Sequence, residues 1–292
     1  MLFSVAPHRV PHAASYAALL LSLTASAPLL AAPIGNLRSM QVEAGNAGDA
    51  ARSAPAQWRL QTDTGATIAV SLPRADVLHI WAGPKKTGLT GAGDQAAPIV
   101  VAQAAAQVEY SVSEQTDHIL IRTAALSLRI DRKPLRFTLF RAGDVQPLWR
   151  EVQPLELGEK QSVQTLTSDK AERFFGGGQQ NGRYEFKGKQ LQVSYSGGWE
   201  EGDRPSPAPF LMSSRGWGML RNTWSDGSYD LRQNEQITLA HDEARFDAYY
   251  FVGKNVRDVL ARYTELTGRA RMLPRWALEY GDADCYNDGD NV

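Results

Sequence analysis

The 292-residue chain reads as a mainly β protein: an antiparallel β-sandwich, then one helix, then one further strand. Three observations predict this. From Trp58 onward, short runs of β-branched and aromatic residues are separated by turn chemistry. Several runs have a period of two, with apolar residues on one side only. Apolar residues at helical spacing occur late, at 255–268. Hydrophobic residues make up 43% of the chain and charged residues 22%, enough for a sizeable core. Wholesale disorder, collagen and a polytopic membrane protein are thereby excluded. Lys and Arg number 31 against 32 Asp and Glu, so no basic excess suggests a nucleic-acid partner. The single cysteine, Cys285, excludes an internal disulfide framework and a Cys-built zinc site. No cofactor or metal motif is evident.

The elements follow in order. Residues 1–31 have a weakly positive start at Arg9, an apolar stretch at 13–23 and small residues before Pro33. This reads as a secretory signal cut after Ala31, which implies a secreted or periplasmic protein with no membrane anchor after cleavage. Only His79, His118 and His241 then remain, which disfavours His-built metal sites and triads. Residues 32–57 are rich in Ala, Gly, Asn, Asp and Ser without periodicity, and read as a flexible linker. The sandwich is expected over 58–253. Its strands include 67–72, 77–81, 118–123 and 125–130. In the last, Leu126, Leu128 and Ile130 share one face. Asp131, Arg132, Lys133 and Pro134 turn the chain, and Leu135, Phe137 and Leu139 form the matching face of the next strand. At 254–273 a linker helix is expected. Asn255 caps it, Val256, Val259, Leu260, Tyr263 and Leu266 share its apolar stripe, and Gly268 stops it. Residues 275–280 read as a strand, the beginning of a further unit over 274–292.

The densest glycine cluster lies at 174–189, with Gly176, Gly178 and Gly182. A phosphate loop would need a helix directly after the glycines. Here 183–187 alternates like a strand and Gly188-Lys189 is followed by Gln190, so phosphate binding is rejected. The loop instead lets Gln179, Gln180 and Asn181 approach a polar ligand. Amides and aromatic faces suit a sugar, whose hydroxyls donate and accept and whose C–H face stacks on Trp. Trp199 lies in a loop with Glu200, Glu201 and Asp203 and is a candidate stacking platform, whereas Trp217 and Trp224 sit among strand-like residues and read as core. No Ser-His-Asp triad stands out. Cys285 lies among Asp282, Asp284 and Asp288, which would raise rather than lower a thiol pKa. Those acids read either as a solvated turn or as a polar rim at the end of a barrel strand.

Taken in order, these segments resemble glycoside hydrolase family 31. The 126–149 hairpin, the 174–189 glycine loop, the 209–223 strands, and the helix followed by Leu273-Pro274-Arg275-Trp276 carry the resemblance. It implies a galactose-mutarotase-like sandwich, a linker helix and the first strand of a (β/α)8 catalytic barrel that 292 residues do not complete. It also implies a retaining, exo-acting α-glycosidase, whose two carboxyl groups sit roughly 5–5.5 Å apart. Both are expected beyond residue 292, so no catalytic residue is assigned and the chain alone is expected to be inactive. In the family a sandwich loop reaches the sugar pocket. The matching candidates for substrate binding are Gln180, Asn181, Trp199 and Asp203, with Asp282 and Asp284 at the end of the barrel strand. Gln179 stands where many α-glucosidases of the family have Glu, and the 176–182 and 284–287 patterns look more like members acting on α-galactosides or N-acetyl-α-galactosaminides. The expected partner is an oligosaccharide or glycoside. A non-catalytic carbohydrate-binding sandwich is the competing reading. A mutarotase comes third, because no His carries a supporting motif.

Overall fold

The computed structural model describes residues 31–43, 57–83, 99–101 and 108–278. Every strand pairing among them is antiparallel, in two layers. One layer is an eight-stranded sheet. In spatial order its strands are Phe174–Gln179, Ser206–Ser213, Trp217–Arg221, Phe246–Val252, Val77–Gly83, Thr67–Arg74, Gln57–Thr62 and Leu37–Glu43. The facing layer combines a six-stranded sheet, running from Ala32–Pro33 through Ser162–Thr167 to Gln190–Val193, with a five-stranded sheet from Trp149–Arg150 to Ser111–Glu114. A bridge between Glu151 and Leu166 joins these two sheets.

Period-two alternation explains the layering. Leu126, Leu128 and Ile130 are fully buried against Leu135, Phe137 and Leu139 of the next strand, while Ser127 and Arg129 face outward. The inner core also takes Trp58, Trp149 and Trp217, all fully buried. Strands of the eight-stranded sheet serve two cores. Met219 and Tyr250 point between the layers, whereas their neighbours Leu220 and Phe251 point out to a smaller cluster under the helix.

That helix, Val256–Thr267, forms where its caps predict. The Asn255 side chain accepts the Asp258 N–H at 3.1 Å, and the Asp258 carboxylate accepts the Lys254 N–H at 2.9 Å. Gly268 closes it at φ 96°. Val259 and Leu266 are buried, and Tyr263 stacks on Phe210 at 3.8 Å. Leu260, expected on the same stripe, is exposed, so the buried stripe is narrower than its sequence suggests.

Four expectations are corrected. The stretch read as a flexible linker contains the strands Ala32–Pro33 and Leu37–Glu43. A register shift between Leu37 and Ser39 moves the inward positions to Leu37 and Met40, three apart, which hides the period of two. Residues 183–187 form an irregular segment rather than a strand. Only Phe186 of that segment is buried, and its N–H donates to the Phe174 carbonyl, so the segment has no ladder of its own. The expected strand at 275–280 is, over Arg275–Leu278, a single 3-10 turn with Trp276 exposed. Among the described residues no strand lies beside it to satisfy an extended backbone. Trp224 is 64% exposed rather than core, because it sits in the loop after Trp217–Arg221 and not in the strand.

Polar groups also enter the interior. Glu151 is fully buried and accepts from the Phe137 N–H and the Gln164 amide, whose oxygen in turn accepts the Tyr250 hydroxyl. Burial pushes its carboxyl up to about 7. Buried His241 accepts the Tyr229 hydroxyl at Nε2 and donates from Nδ1 to the Ser225 carbonyl. Burial, then the Arg221 charge, pulls it down to about 3. The two groups act oppositely on stability. The Glu151 contribution is complete below about pH 4.5 and is lost as pH rises through about 7. The His241 contribution is present above about pH 6.5 and is lost as pH falls toward about 3. Glu151→Gln should therefore gain stability relative to the native chain as pH rises from 4.5 to 7, read from urea midpoints. A difference independent of pH would refute the buried-carboxyl account. Asn255→Ala should cost about 1 kcal/mol in the same titration.

Candidate functional site

The glycine strand and the Trp199 loop form one unit at the edge of the eight-stranded sheet. Gly178 has φ 74°, and a Cβ there would collide with the Ser206 carbonyl oxygen. With no side chain in the way, the Phe174–Gln179 strand lies directly against Ser206–Ser213, with a bulge between Gly176 and Gly178. The chain then delivers Asn181 to the loop opposite. The Asn181 N–H donates to the Asp203 carbonyl at 2.9 Å, and the Gly202 N–H donates to the Asn181 carbonyl at 3.0 Å. Ser196 and Arg204 exchange both backbone hydrogen bonds at 3.1 Å and close the base of the loop.

The structure separates the predicted site residues by role. Gln180 donates both amide hydrogens to backbone, at 2.8 Å to Gly177 and 3.1 Å to Gln192, and so braces the loop. The Asn181 side-chain amide lies 3.5 Å from the Gly198 carbonyl, and its oxygen is 3.4 Å from the Gln179 amide. One Asp203 carboxylate oxygen accepts the Ser196 hydroxyl at 3.2 Å and the other accepts the Glu200 N–H at 3.0 Å. Gly198, at φ 129°, leaves room for that carboxylate. Asp203 thus shapes the turn that carries Trp199. Trp199 itself is 86% exposed at the tip, with Tyr184 equally exposed nearby in sequence. Gln180, Asn181, Trp199 and Asp203 all belong to this edge unit, in the glycine strand's extension or the loop opposite it. Asp282, Asp284 and Cys285 lie outside the described residues.

Sequence reading missed two features. Ser71, His79 and Asp247 meet on the outer face of the eight-stranded sheet. The Ser71 hydroxyl lies 3.3 Å from His79 Nδ1, and His79 Nε2 lies 2.8 Å from the Asp247 carboxylate. The order is that of a hydrolytic triad, but Ser71 is a buried mid-strand residue paired in register with His79. At 6% exposure its hydroxyl offers no approach to a substrate carbonyl. The trio ties three adjacent strands together, and His79 stacks on Tyr249 at 4.0 Å. No local pattern could reveal it, since Asp247 is 168 residues from His79. The second feature is an open groove of about 340 Å³ at the feet of the Trp199 loop, lined in part by Tyr195 and Trp224.

Residues 67–230, more than half of the chain, match the family described as the glycosyl hydrolase 31 N-terminal galactose mutarotase-like domain. The chain belongs to that family. It is 35% identical over 85 residues to an α-xylosidase of Saccharolobus solfataricus, covering 29% of this chain and 12% of that protein. It is 21% identical over 229 residues to α-glucosidase 2 of Bacillus thermoamyloliquefaciens, covering 75% of this chain and 28% of that protein. Among solved structures, it resembles a Flavobacterium johnsoniae GH31 dextranase complexed with isomaltotriose, with a TM-score of 0.73 and 18% identity over 85% of this chain and 30% of that one. The chain therefore spans less than a third of the length of these relatives, and at such identity the dextranase likeness shows the fold alone.

If Asp203 shapes the turn, Asp203→Ala should cost about 1 kcal/mol and speed hydrogen exchange at the Glu200 amide. Trp199→Ala should change stability by no more than about 0.5 kcal/mol, since the ring is exposed.

Proposed function

We propose that this chain is the N-terminal part of an exported, retaining, exo-acting α-glycosidase, and that its sandwich helps to shape the sugar pocket. Family membership and the α-glycosidase names of its relatives support the enzyme class. The observation that supports the pocket role is the loop at 196–204, which is anchored by Asn181 and holds the Trp199 ring out to solvent. Exposed tryptophan costs solubility without adding to the core, so a rigid loop built to display one points to a ligand. The ring offers a face to the C–H side of a pyranose. Asn181 offers an amide to its hydroxyls. Gln180 and Asp203 act by holding these two in place.

Retaining hydrolysis needs a carboxylate nucleophile and a carboxylic acid/base roughly 5–5.5 Å apart, and we assign both to a catalytic domain beyond these residues. The rim loop would narrow the approach to that pair and so favour attack at chain ends. Asp282 and Asp284 remain candidates for substrate hydroxyls. The leader at 1–31 is the basis for export.

The test is hydrolysis of nitrophenyl α-glucoside, α-galactoside, α-xyloside and N-acetyl-α-galactosaminide. The complete protein should hydrolyse at least one, and the 292-residue chain none. Trp199→Ala in the complete protein should raise KM or lower kcat/KM about three- to tenfold, a loss of roughly 1 kcal/mol. Its melting temperature should stay within about 2 °C. Unchanged kinetics with a large fall in melting temperature would assign Trp199 to packing instead.

A further inference from the structure

The groove below the Trp199 loop has no role in the reading above. Val193, Tyr195, Pro207, Pro209, Trp224 and Asp226 are among the residues that line it. Tyr195 is 72% exposed and Trp224 is 64% exposed, values far outside the range of packing residues in this fold.

The loop that carries Trp224 is held from inside the sandwich. His241 Nδ1 donates to the Ser225 carbonyl at 3.1 Å, the Asp242 N–H donates to the Asp226 carbonyl at 2.9 Å, and the Ser225 N–H donates to the Thr223 hydroxyl at 3.0 Å. Tyr195 in turn folds back over Gly197, where a Cβ would crowd its hydroxyl. The backbone beside Trp224 is therefore held, and the Tyr195 ring rests on Gly197, before any ligand arrives, which lowers the ordering cost of binding.

The chemistry of the lining selects a ligand. Among the described residues no Lys, Arg or His lines the groove and Asp226 is its one charged side chain, so a phosphate or polyanion would be repelled. Two aromatic faces, proline edges, serine hydroxyls and one carboxylate match a neutral ring with an apolar face and hydroxyl edges. A volume of about 340 Å³ lies at the small end for ligand sites. Tyr195 and Pro205 stand at the two feet of the Trp199 loop, so the groove continues from that loop.

We propose that the Tyr195–Trp224 groove is a second sugar subsite, which takes a neutral pyranose of an oligosaccharide that also contacts the Trp199 loop. The proposal rests on the carbohydrate reading above. It makes the preferred ligand a chain of at least two or three rings rather than a single one.

The test is calorimetric or saturation-transfer titration of the 292-residue chain with isomaltotriose, maltotriose and a xyloglucan oligosaccharide, with glucose as the single-ring comparison. At least one oligosaccharide should bind more tightly than glucose. Trp224→Ala should weaken that binding about five- to tenfold, and Tyr195→Ala should weaken it in the same direction. Both side chains are exposed, so melting temperatures should stay near the native value. Binding lost with Trp199→Ala but unchanged with Trp224→Ala would overturn the groove and leave the rim-loop reading standing. No binding of any of the three oligosaccharides would also overturn it, as expected if the groove instead seats another part of a longer protein. Hydrolysis by the complete protein would then judge the α-glycosidase reading separately.

Discussion

A side chain at position 178 would meet the Ser206 carbonyl oxygen, and the architecture of one edge of the molecule depends on its absence. Glycine there lets the Phe174–Gln179 strand close on Ser206–Ser213 through a bulge. The bulge aims residues 179–182 at the Trp199 loop, where Asn181 spends both of its backbone groups on Asp203 and Gly202. The Asp203 carboxylate then fixes the turn that displays Trp199, and the feet of the same loop help line the Tyr195–Trp224 groove. Backbone proximity, rather than any side-chain contact with Trp199, sets where the ring stands.

The interior supports that edge in two ways. Apolar residues alternating along each strand fill both the inter-layer core and the smaller cluster under the helix, which fixes the eight-stranded sheet from both faces. Buried polar groups then connect core to surface. His241 links Tyr229, deep between the layers, to Ser225 in the Trp224 loop. A neutral imidazole can accept at one nitrogen and donate at the other, and burial keeps it neutral, so the loop tether and the depressed pKa have one cause. Arg221 is fully buried nearby, with its Nη2 on the Ser162 hydroxyl and its guanidinium 4.3 Å from the Phe246 ring centroid. The positive charge it keeps there also disfavours protonated His241.

Features set by neighbours in the sequence were legible there. Asn255, Asp258 and Gly268 announce the helix and its ends, and Leu126 to Leu139 announce a hairpin with a buried face. The ordered motifs that resemble glycoside hydrolase family 31 agree with the match over residues 67–230. Features set by contacts distant in the chain were not legible. The Leu37–Glu43 strand was hidden because a bulge breaks its alternation. The strand-like neighbours of Trp224 suggest a core position, yet its loop turns it outward. The Ser71, His79 and Asp247 trio exists only because three strands become adjacent in the sheet. At the candidate site, the gathering of Gln180, Asn181, Trp199 and Asp203 was legible, but their division into bracing and displaying residues required the hydrogen bonds.

If the loop at 196–204 is a rigid platform for sugar, as proposed above, a bound sugar should protect its backbone. The direct measurement is hydrogen exchange in the complete protein with and without a monosaccharide that inhibits it. Exchange should slow on sugar addition at the amides of 196–204 and of Asn181, with the His118–Arg122 strand unchanged. Equal exchange at 196–204 with and without an inhibiting sugar would exclude that role for the loop.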